Sequence, residues 1–446
     1  MIEEIEPALD DHPIAPKTIE GTGLSADLLL HLMLKTMYVS GPITPADLSR
    51  KLALPRSIIT VLIDDAKEKG LIEALGALGD SLVSEFRYGL SGKGSDWAIE
   101  ALNQSQYVGP APVTLTDYGE QVQKQLIANE QIRPEALAEC FTHLVMPQEL
   151  VKLVGPAVNS GRTILLYGPP GNGKTVIAQA IENVFEQTIF VPHCFEVDGY
   201  IIKMFDPTIH KVVGPAPGSE EEEDTEVRQE QQSDRRWIRC RRPVVYTGGE
   251  LTLEMLDLAF NPISKFYEAP SQLKATGGLF FIDDFGRQLV NPQDVINRWI
   301  IPLETRIDFL TLHTGKKFPT PFDELLMFST NIPPEKLVDS GALRRIHYKI
   351  EIGPPNKEDY VTIFENVCKD YEIELPSDLL AYLFDDYYTA KNVDLARYHP
   401  KFIVDQIKSI CEYEGVPLVL ERDLVDVALA NLYDHVAMGL ADVGRA

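Results

Sequence analysis

A glycine-rich segment near the middle of the chain has the composition of a phosphate-binding loop. It consists of Gly168, Pro169, Pro170, Gly171, Asn172, Gly173, Lys174 and Thr175. Glycines let backbone N–H groups approach phosphate oxygens closely, the lysine ammonium reaches the β- and γ-phosphates, and the threonine hydroxyl binds magnesium. The segment therefore predicts a site for ATP and Mg²⁺, and we include Val176, the next residue, among the predicted nucleotide contacts.

Two adjacent carboxylates follow an apolar run farther along the chain. Asp283 and Asp284 come directly after residues 279–282, which are Leu, Phe, Phe and Ile. We expect Asp283 to hold the magnesium ion and Asp284 to orient and polarise the water that attacks the γ-phosphate. The alternative is a strand-end turn with solvated acids, which the upstream glycine loop disfavours.

A polar amide and two arginines complete the set of candidate side chains. Asn331 follows a strand-like run, 326–330, and is expected to contact the γ-phosphate or the attacking water. By itself such an asparagine would be a turn residue. Arg344 and Arg345 are candidates for an arginine finger that enters the ATP site of a neighbouring subunit, and surface ion pairs are the alternative.

These side chains need strands that end at one edge of a sheet. The runs 163–167, 278–282 and 326–330 are short and largely apolar, as expected for strands buried on both faces of a parallel sheet. Glycine-rich or polar turns follow them, and then helices. The pattern predicts an α/β P-loop ATPase core, with a parallel sheet and helices on both faces.

The remaining segments predict further domains around this core. Residues 1–23 read as a flexible leader, and 24–128 as a winged-helix-like domain, because three helical patterns precede a strand and a glycine turn. The core spans 129–355, a charged, disordered insertion interrupts it at 214–236, and a helical lid occupies 356–446.

Charge and composition limit the partners. The net charge is −26 and the pI is about 4.7, so the long-range field disfavours nucleic acid. In the winged-helix-like domain the third helix mixes acids with its lysines, which favours a protein contact over DNA, although both stay open. The acidic start lacks the features of a signal peptide, and no apolar run is long enough to cross a membrane. We therefore expect a cytoplasmic protein.

The order of these motifs resembles that of the AAA+ ATPases. The glycine loop and the paired acids match the Walker A and Walker B motifs, and a hairpin-like segment, 309–322, is similar to one found in bacterial-type members. The resemblance covers about residues 140–440. It implies ATP and Mg²⁺ bound at the junction between subunits of a homo-oligomeric ring, usually a hexamer.

The resemblance also implies roles for single residues. Asn331 looks like sensor 1, and Arg345, with Arg344 beside it, looks like the arginine finger. Lys401 is the first choice for the sensor 2 cation of the lid, and Arg397 is the second. Asp284 departs from the glutamate that most members have, and its shorter side chain makes slow hydrolysis more plausible.

Three functions follow from this sequence. The favoured one is an ATP-driven ring that remodels a protein partner or complex, with the winged-helix-like domain as adaptor. The second is a DNA-acting ATPase or transcriptional regulator. The third is a slow, nucleotide-gated assembly switch, which Asp284 suggests.

Overall fold

A computed structural model describes residues 12–77, 86–214 and 233–432 of the chain. The predicted leader up to residue 11, most of the charged insertion (215–232) and the end of the lid (433–446) lie outside the described residues. Within the described ranges, no helix combines the length and the hydropathy that a membrane crossing requires.

The central feature is a five-stranded parallel sheet. The strands of the described residues are β1 (Ile72–Ala77), β2 (Phe86–Leu90), β3 (Val113–Thr114), β4 (Ile164–Tyr167), β5 (Thr188–Pro192), β6 (Cys194–Val197), β7 (Tyr200–Lys203), β8 (Trp237–Arg241), β9 (Val244–Thr247), β10 (Ala259–Phe260), β11 (Tyr267–Glu268), β12 (Leu279–Ile282), β13 (Ile307–Thr311), β14 (Lys317–Pro321), β15 (Leu325–Thr330) and β16 (Tyr348–Glu351). The sheet has the order β16–β4–β15–β12–β9, and helices cover both of its faces. The predicted α/β class is confirmed.

The helices follow the apolar periodicity of the sequence. They are α1 (Ala26–Ser40), α2 (Pro45–Leu52), α3 (Arg56–Glu68), α4 (Gly92–Gln104), α5 (Leu115–Lys124), α6 (Pro134–Cys140), α7 (Gln148–Asn159), α8 (Lys174–Glu182), α9 (Ser271–Lys274), α10 (Pro292–Arg298), α11 (Ile300–Thr305), α12 (Pro334–Leu337), α13 (Ser340–Leu343), α14 (Lys357–Asp370), α15 (Ser377–Ala381), α16 (His399–Glu414) and α17 (Arg422–Ala430). A π-helical segment, Tyr382–Thr389, continues α15.

Two compact units interleave along the sequence. The first unit comprises 1–131, 185–282 and 287–326, and the second comprises 132–184, 283–286 and 327–446. The divisions expected after residues 128 and 355 stay predictions.

In the first unit, α1, α2 and α3 precede the hairpin β1–β2. Ser25 and Thr44 cap the first two helices by accepting from backbone N–H groups, because their side-chain oxygens satisfy donors that the first turn leaves unpaired. Ile43 and Tyr88 exchange backbone hydrogen bonds of 3.0 and 2.9 Å, which joins the hairpin to the segment before α2. These elements are the ones expected from the pattern, and the winged-helix assignment stays a prediction.

Arg236, at the predicted end of the charged insertion, is buried within the first unit. Arg236 and Asp234 are both 3% exposed and pair at 2.8 Å. Arg236 also donates to the carbonyl oxygens of Thr22 and Pro112. Residues 234–236 therefore belong to the fold, and the bound predicted for the insertion at 236 is too late. The hydrogen bonds to Thr22 and Pro112 join segments that are far apart in the chain, and Asp234 gives the buried guanidinium the charged partner that it needs.

The second unit carries β4, the glycine loop, α8, most of β15, and the lid helices α14–α17. The lid core includes a chain of hydrogen bonds between side chains that are at most 4% exposed. The hydroxyls of Tyr360 and Tyr388 lie 2.7 Å apart, and the Tyr388 hydroxyl lies 3.0 Å from Nδ1 of His399. This chain ties α14, the π-helical segment and α16 into one body.

Candidate nucleotide-binding site

The glycine loop begins where β4 ends. Gly168 has a φ of +138°, and a Cβ atom there would lie 2.4 Å from the carbonyl oxygen of Ile352. Only glycine fits this close approach to the end of β16. Gly173 precedes α8, so the N-terminal N–H groups of that helix follow the loop directly, as an anion site requires.

Lys174 folds back onto the loop in this structure. Its Nζ donates to the carbonyl oxygens of Gly168 at 3.0 Å and Pro169 at 2.9 Å. Burial lowers the pKa of the Lys174 ammonium, and the carboxylates of Asp284 and Asp283 oppose that shift. Phosphate oxygens would offer this ammonium charged acceptors in place of neutral carbonyls.

The two residues predicted to bind magnesium, Thr175 and Asp283, lie next to each other, and their role as ligands stays a prediction. The Thr175 hydroxyl lies 3.0 and 3.2 Å from the two carboxylate oxygens of Asp283. A hydroxyl and a carboxylate are oxygen ligands of the kind Mg²⁺ prefers, and Mg²⁺ usually takes only one or two protein ligands besides phosphates and water. The pair therefore fits this ion. Elsewhere among the described residues, no cluster of three or more His, Cys, Asp or Glu side chains could hold a metal ion.

Asp284 has an unusual backbone. Its φ is +48°, its N–H donates to Oδ1 of Asp283 at 3.0 Å and to Oγ of Ser329 at 3.2 Å, and its side chain is exposed. Asp tolerates this left-handed conformation better than longer side chains do. The backbone thus gives a physical reason for aspartate in place of the glutamate that the resemblance implies.

Asn331 lies beside Asp284. Its Nδ2 donates to Oδ1 of Asp284 at 3.1 Å, so the amide and the candidate base form a pair at the ends of neighbouring strands. Ser329 completes this group because its hydroxyl donates to Asp283. Sequence reasoning missed Ser329, although a polar side chain after four apolar residues of the same strand was a usable signal.

The two candidate finger residues differ in exposure. Arg344 is exposed, whereas Arg345 is half-buried and donates from Nη1 to the carbonyl oxygen of Gly341 at 2.8 Å. The choice of Arg345 over Arg344 stays a prediction. The structure makes Arg344 the more accessible of the two.

Most of the candidate site residues other than the two arginines line a cavity of about 790 Å³ within the second unit. Lys174, Thr175, Val176, Asp283 and Asp284 line it. A further set lines it from the strand and the lid: Asn331, Arg397, Tyr398, Lys401 and Phe402.

The side chain of Arg397 already contacts other residues of the protein. Its guanidinium donates to the carbonyl oxygen of Val145 and lies 3.9 Å from the Asp359 carboxylate. Lys401 is exposed on the first turn of α16. Arg397 is therefore the weaker candidate for a cation that contacts phosphate.

Comparisons with known proteins bear on parts of the chain. Residues 356–431 match a family described as a domain of unknown function (DUF8689). Spastin of Ixodes scapularis is 23% identical over 295 residues, which are 65% of this chain and 34% of that protein. Spastin of Anopheles gambiae is 33% identical over 76 residues, or 17% of this chain and 9% of that protein. The chain thus spans about a third or less of the curated relatives it matches.

Two solved structures give weaker likenesses. NtrX from Brucella abortus is 13% identical, with a TM-score of 0.37 over 62% of this chain and 53% of that one. Domain III of the replication initiation protein DnaA from Thermotoga maritima is 16% identical, with a TM-score of 0.32 over 65% of this chain and 95% of that one. The spastin match over 65% of this chain is therefore a similarity to part of that protein.

Proposed function

We propose that the chain is a magnesium-dependent ATPase that hydrolyses ATP at junctions between copies in a ring and uses the cycle to remodel a protein partner. The observation that carries this proposal is the oxygen-rich group beside the glycine loop. There Thr175 lies 3.0 Å from Asp283, and Asn331 lies 3.1 Å from Asp284. The spastin match supports the ATPase part of the proposal.

The side chains would divide the work as follows. Lys174 would exchange the loop carbonyls for the β- and γ-phosphates of ATP. Thr175 and Asp283 would hold Mg²⁺, which neutralises charge on the phosphates. Asp284 would accept the proton of the attacking water, and the Asn331 amide would fix the direction of its carboxylate.

Arg344 supports a site shared between copies. Its side chain is exposed, and Arg344 does not line the cavity that holds Asp284. A guanidinium that stabilises transferred phosphoryl charge must lie near the γ-phosphate. A second copy, arranged head to tail as in a ring, would bring Arg344 to that position.

A slow assembly switch is the second candidate. It is favoured by the Asn331–Asp284 hydrogen bond, since a carboxylate already engaged by an amide is less available to water. The DNA-acting alternative is less supported, because at the end of α3 Lys67 pairs with Asp64 at 3.3 Å and Lys69, the next residue after the helix, pairs with Asp65 at 2.8 Å. Lysines paired along one helix leave less positive charge for a phosphate backbone.

A complementation experiment tests the shared site. Arg344→Ala and Asp284→Asn proteins should each hydrolyse ATP slowly. In a one-to-one mixture, about a quarter of the junctions of a head-to-tail ring would combine an intact Asp284 with an intact Arg344. We expect the mixed sample to recover about a quarter of the wild-type rate, measured as phosphate release with Mg²⁺.

The controls separate the alternatives. Arg345→Ala is tested in the same mixtures, and recovery with it but not with Arg344→Ala would make Arg345 the finger. No recovery in either pair would reject the shared site. A rate that stays low although light scattering shows ATP-dependent assembly would favour the switch. Strong stimulation by duplex DNA at low salt would favour the DNA-acting ATPase.

A further inference from the structure

The start of the lid helix α16 touches the glycine loop directly. The N–H of Tyr398 donates to the carbonyl oxygen of Gly171 at 3.1 Å, and the N–H of Arg397 donates to Oδ1 of Asn172 at 3.2 Å. The Tyr398 ring lies against the loop, since a Cβ atom at Gly171 would be 2.2 Å from its Cδ1 and 2.7 Å from its Cε1. Backbone groups and one ring therefore join loop and lid.

Tyr398 is fixed firmly to the lid on its other side. Its ring packs edge-to-face against His399 with centroids 4.5 Å apart. His399 is fully buried and belongs to the hydrogen-bond chain with Tyr388 and Tyr360. Because the buried, hydrogen-bonded ring of His399 resists reorientation, a displacement of Tyr398 would move the packed lid helices together rather than one side chain.

The contact uses loop atoms that phosphate does not need. The lid binds oxygen acceptors, which are the carbonyl of Gly171 and the side-chain oxygen of Asn172. Phosphates are held in such loops by backbone N–H groups and by the lysine. Nucleotide and lid can therefore engage the loop at the same time, and a shift of the loop on phosphate binding would reach the lid.

We propose that Tyr398 is a positioning residue that makes the orientation of the lid depend on the conformation of the glycine loop. This rests on the proposed function, because it requires nucleotide at the loop. It is separate from any contact between Lys401 and phosphate. In this arrangement, nucleotide affinity depends mainly on the loop, while turnover depends also on the Tyr398 contact.

Hydrogen exchange on the full chain tests the coupling. In wild type, Mg-ADP should slow amide exchange in residues 397–402. Tyr398→Ala should bind Mg-ADP within about threefold of wild type but show no such slowing, and its kcat should fall about tenfold with little change in KM. Tyr398→Phe keeps the ring that packs on Gly171 and should behave as wild type.

A variant at Gly171 tests the ring contact itself. Gly171 has a φ of +74°, and a Cβ atom there would lie 2.2 Å from Cδ1 of Tyr398. Gly171→Ala should therefore weaken Mg-ADP binding, because the methyl group displaces the ring and strains the backbone. Adding Tyr398→Ala removes the clash and should restore part of the binding, whereas adding Tyr398→Phe should restore none of it.

The outcomes separate this proposal from the function beneath it. Absence of Mg-ADP binding in wild type would overturn the proposed function and the coupling with it. Normal binding, with nucleotide-dependent slowing that survives Tyr398→Ala, would overturn the coupling alone. A Tyr398→Phe protein that loses the slowing while a thermal melt shows it folded would also contradict the role of the ring contact.

Discussion

Charged side chains serve different ends in two regions of this molecule. In the second unit, Asp284 and Lys401 at the candidate nucleotide-binding site and Arg344 outside its cavity are all exposed. In the first unit, a buried polar cluster contains Glu130, Arg242, Asp323 and Glu324. Each of these residues is at most 7% exposed. Arg242 pairs there with Glu130 at 2.6 Å and donates to the carbonyl oxygens of Gln125 and Gly277.

The difference shows that exposure and partners, rather than residue type, separate chemistry from architecture. In the buried polar cluster, neither carboxyl oxygen of Glu324 has a hydrogen-bond partner among the described residues. Burial raises the pKa of Glu324 well above its usual value and raises that of Asp323 to about 6. Such groups hold a fold together or tune its stability, whereas a group that meets substrate must keep part of its surface open.

The largest expected effect is at the nucleotide-binding site. Asp284→Asn should lower kcat about a thousandfold because it removes the proposed general base, while ATP affinity stays within about threefold since Lys174 and the loop are intact. Asparagine accepts the left-handed backbone at this position, so the melting temperature should not change. Phosphate release, a fluorescent ATP analogue and a thermal melt measure the three quantities. Normal turnover would mean that Asp284 is not the base.

The corresponding test of the buried polar cluster is a variant of Arg242. Arg242→Ala leaves the Glu130 carboxylate buried without its cation, and we expect a loss of about 3–5 kcal/mol in the free energy of unfolding. Urea titration measures it. Arg241→Ala is the matched control, because Arg241 is the exposed neighbour and its removal should change stability by less than about 0.5 kcal/mol. Equal losses in the two variants would remove the distinction drawn between the regions.

The raised carboxyl pKa values predict how stability changes with pH. A carboxyl whose pKa is higher in the folded state stabilises the fold fully below the unfolded pKa, near 4, and loses that contribution as the pH rises through the folded value. Asp323, at about 6, should by itself account for a loss on the order of 2 kcal/mol between pH 4 and pH 7. Glu324 extends the loss to higher pH.

Glu324→Gln isolates the second carboxyl. The variant should lose less stability than wild type as the pH rises from 5 to 8, because glutamine has no proton to release. Urea unfolding at several pH values measures the difference, with Glu254→Gln as an exposed control in the same unit. Parallel curves for wild type and Glu324→Gln would show that Glu324 does not titrate in this range.

The smallest expected effect concerns the lid cation. Lys401→Ala should weaken ATP binding about three- to tenfold and leave ADP binding unchanged, if the ammonium faces the γ-phosphate. Lys408→Ala is the control, since Lys408 lies two turns farther along α16, does not line the cavity and pairs weakly with Glu412 at 3.8 Å. Equal loss of ATP and ADP affinity in Lys401→Ala would assign the lysine to another part of the nucleotide.

The fold class and the order of the site motifs along the chain could be predicted from the sequence. Buried parallel strands are continuous apolar runs, so β4, β12 and β15 were found to within a residue or two, and the α/β class followed. The helices α14 to α17 lie within residues 356–446, the range that the sequence predicts to be helical. The hairpin expected at 309–322 is present as β13 and β14. The strand β1 was missed, because glycine and alanine in it weaken the alternating pattern.

The sequence by itself determined which residues form the glycine loop and which carboxylates follow the neighbouring strand, because local composition and strand ends specify both. Only the tertiary structure decided that Arg397 contacts Val145 rather than standing open to phosphate, that Arg236 and Arg242 are buried, and that Tyr398 lies on Gly171. These facts depend on segments far apart in the chain that meet in space. No local pattern encodes such meetings, since an arginine or a tyrosine has the same propensity whichever partner the fold brings to it.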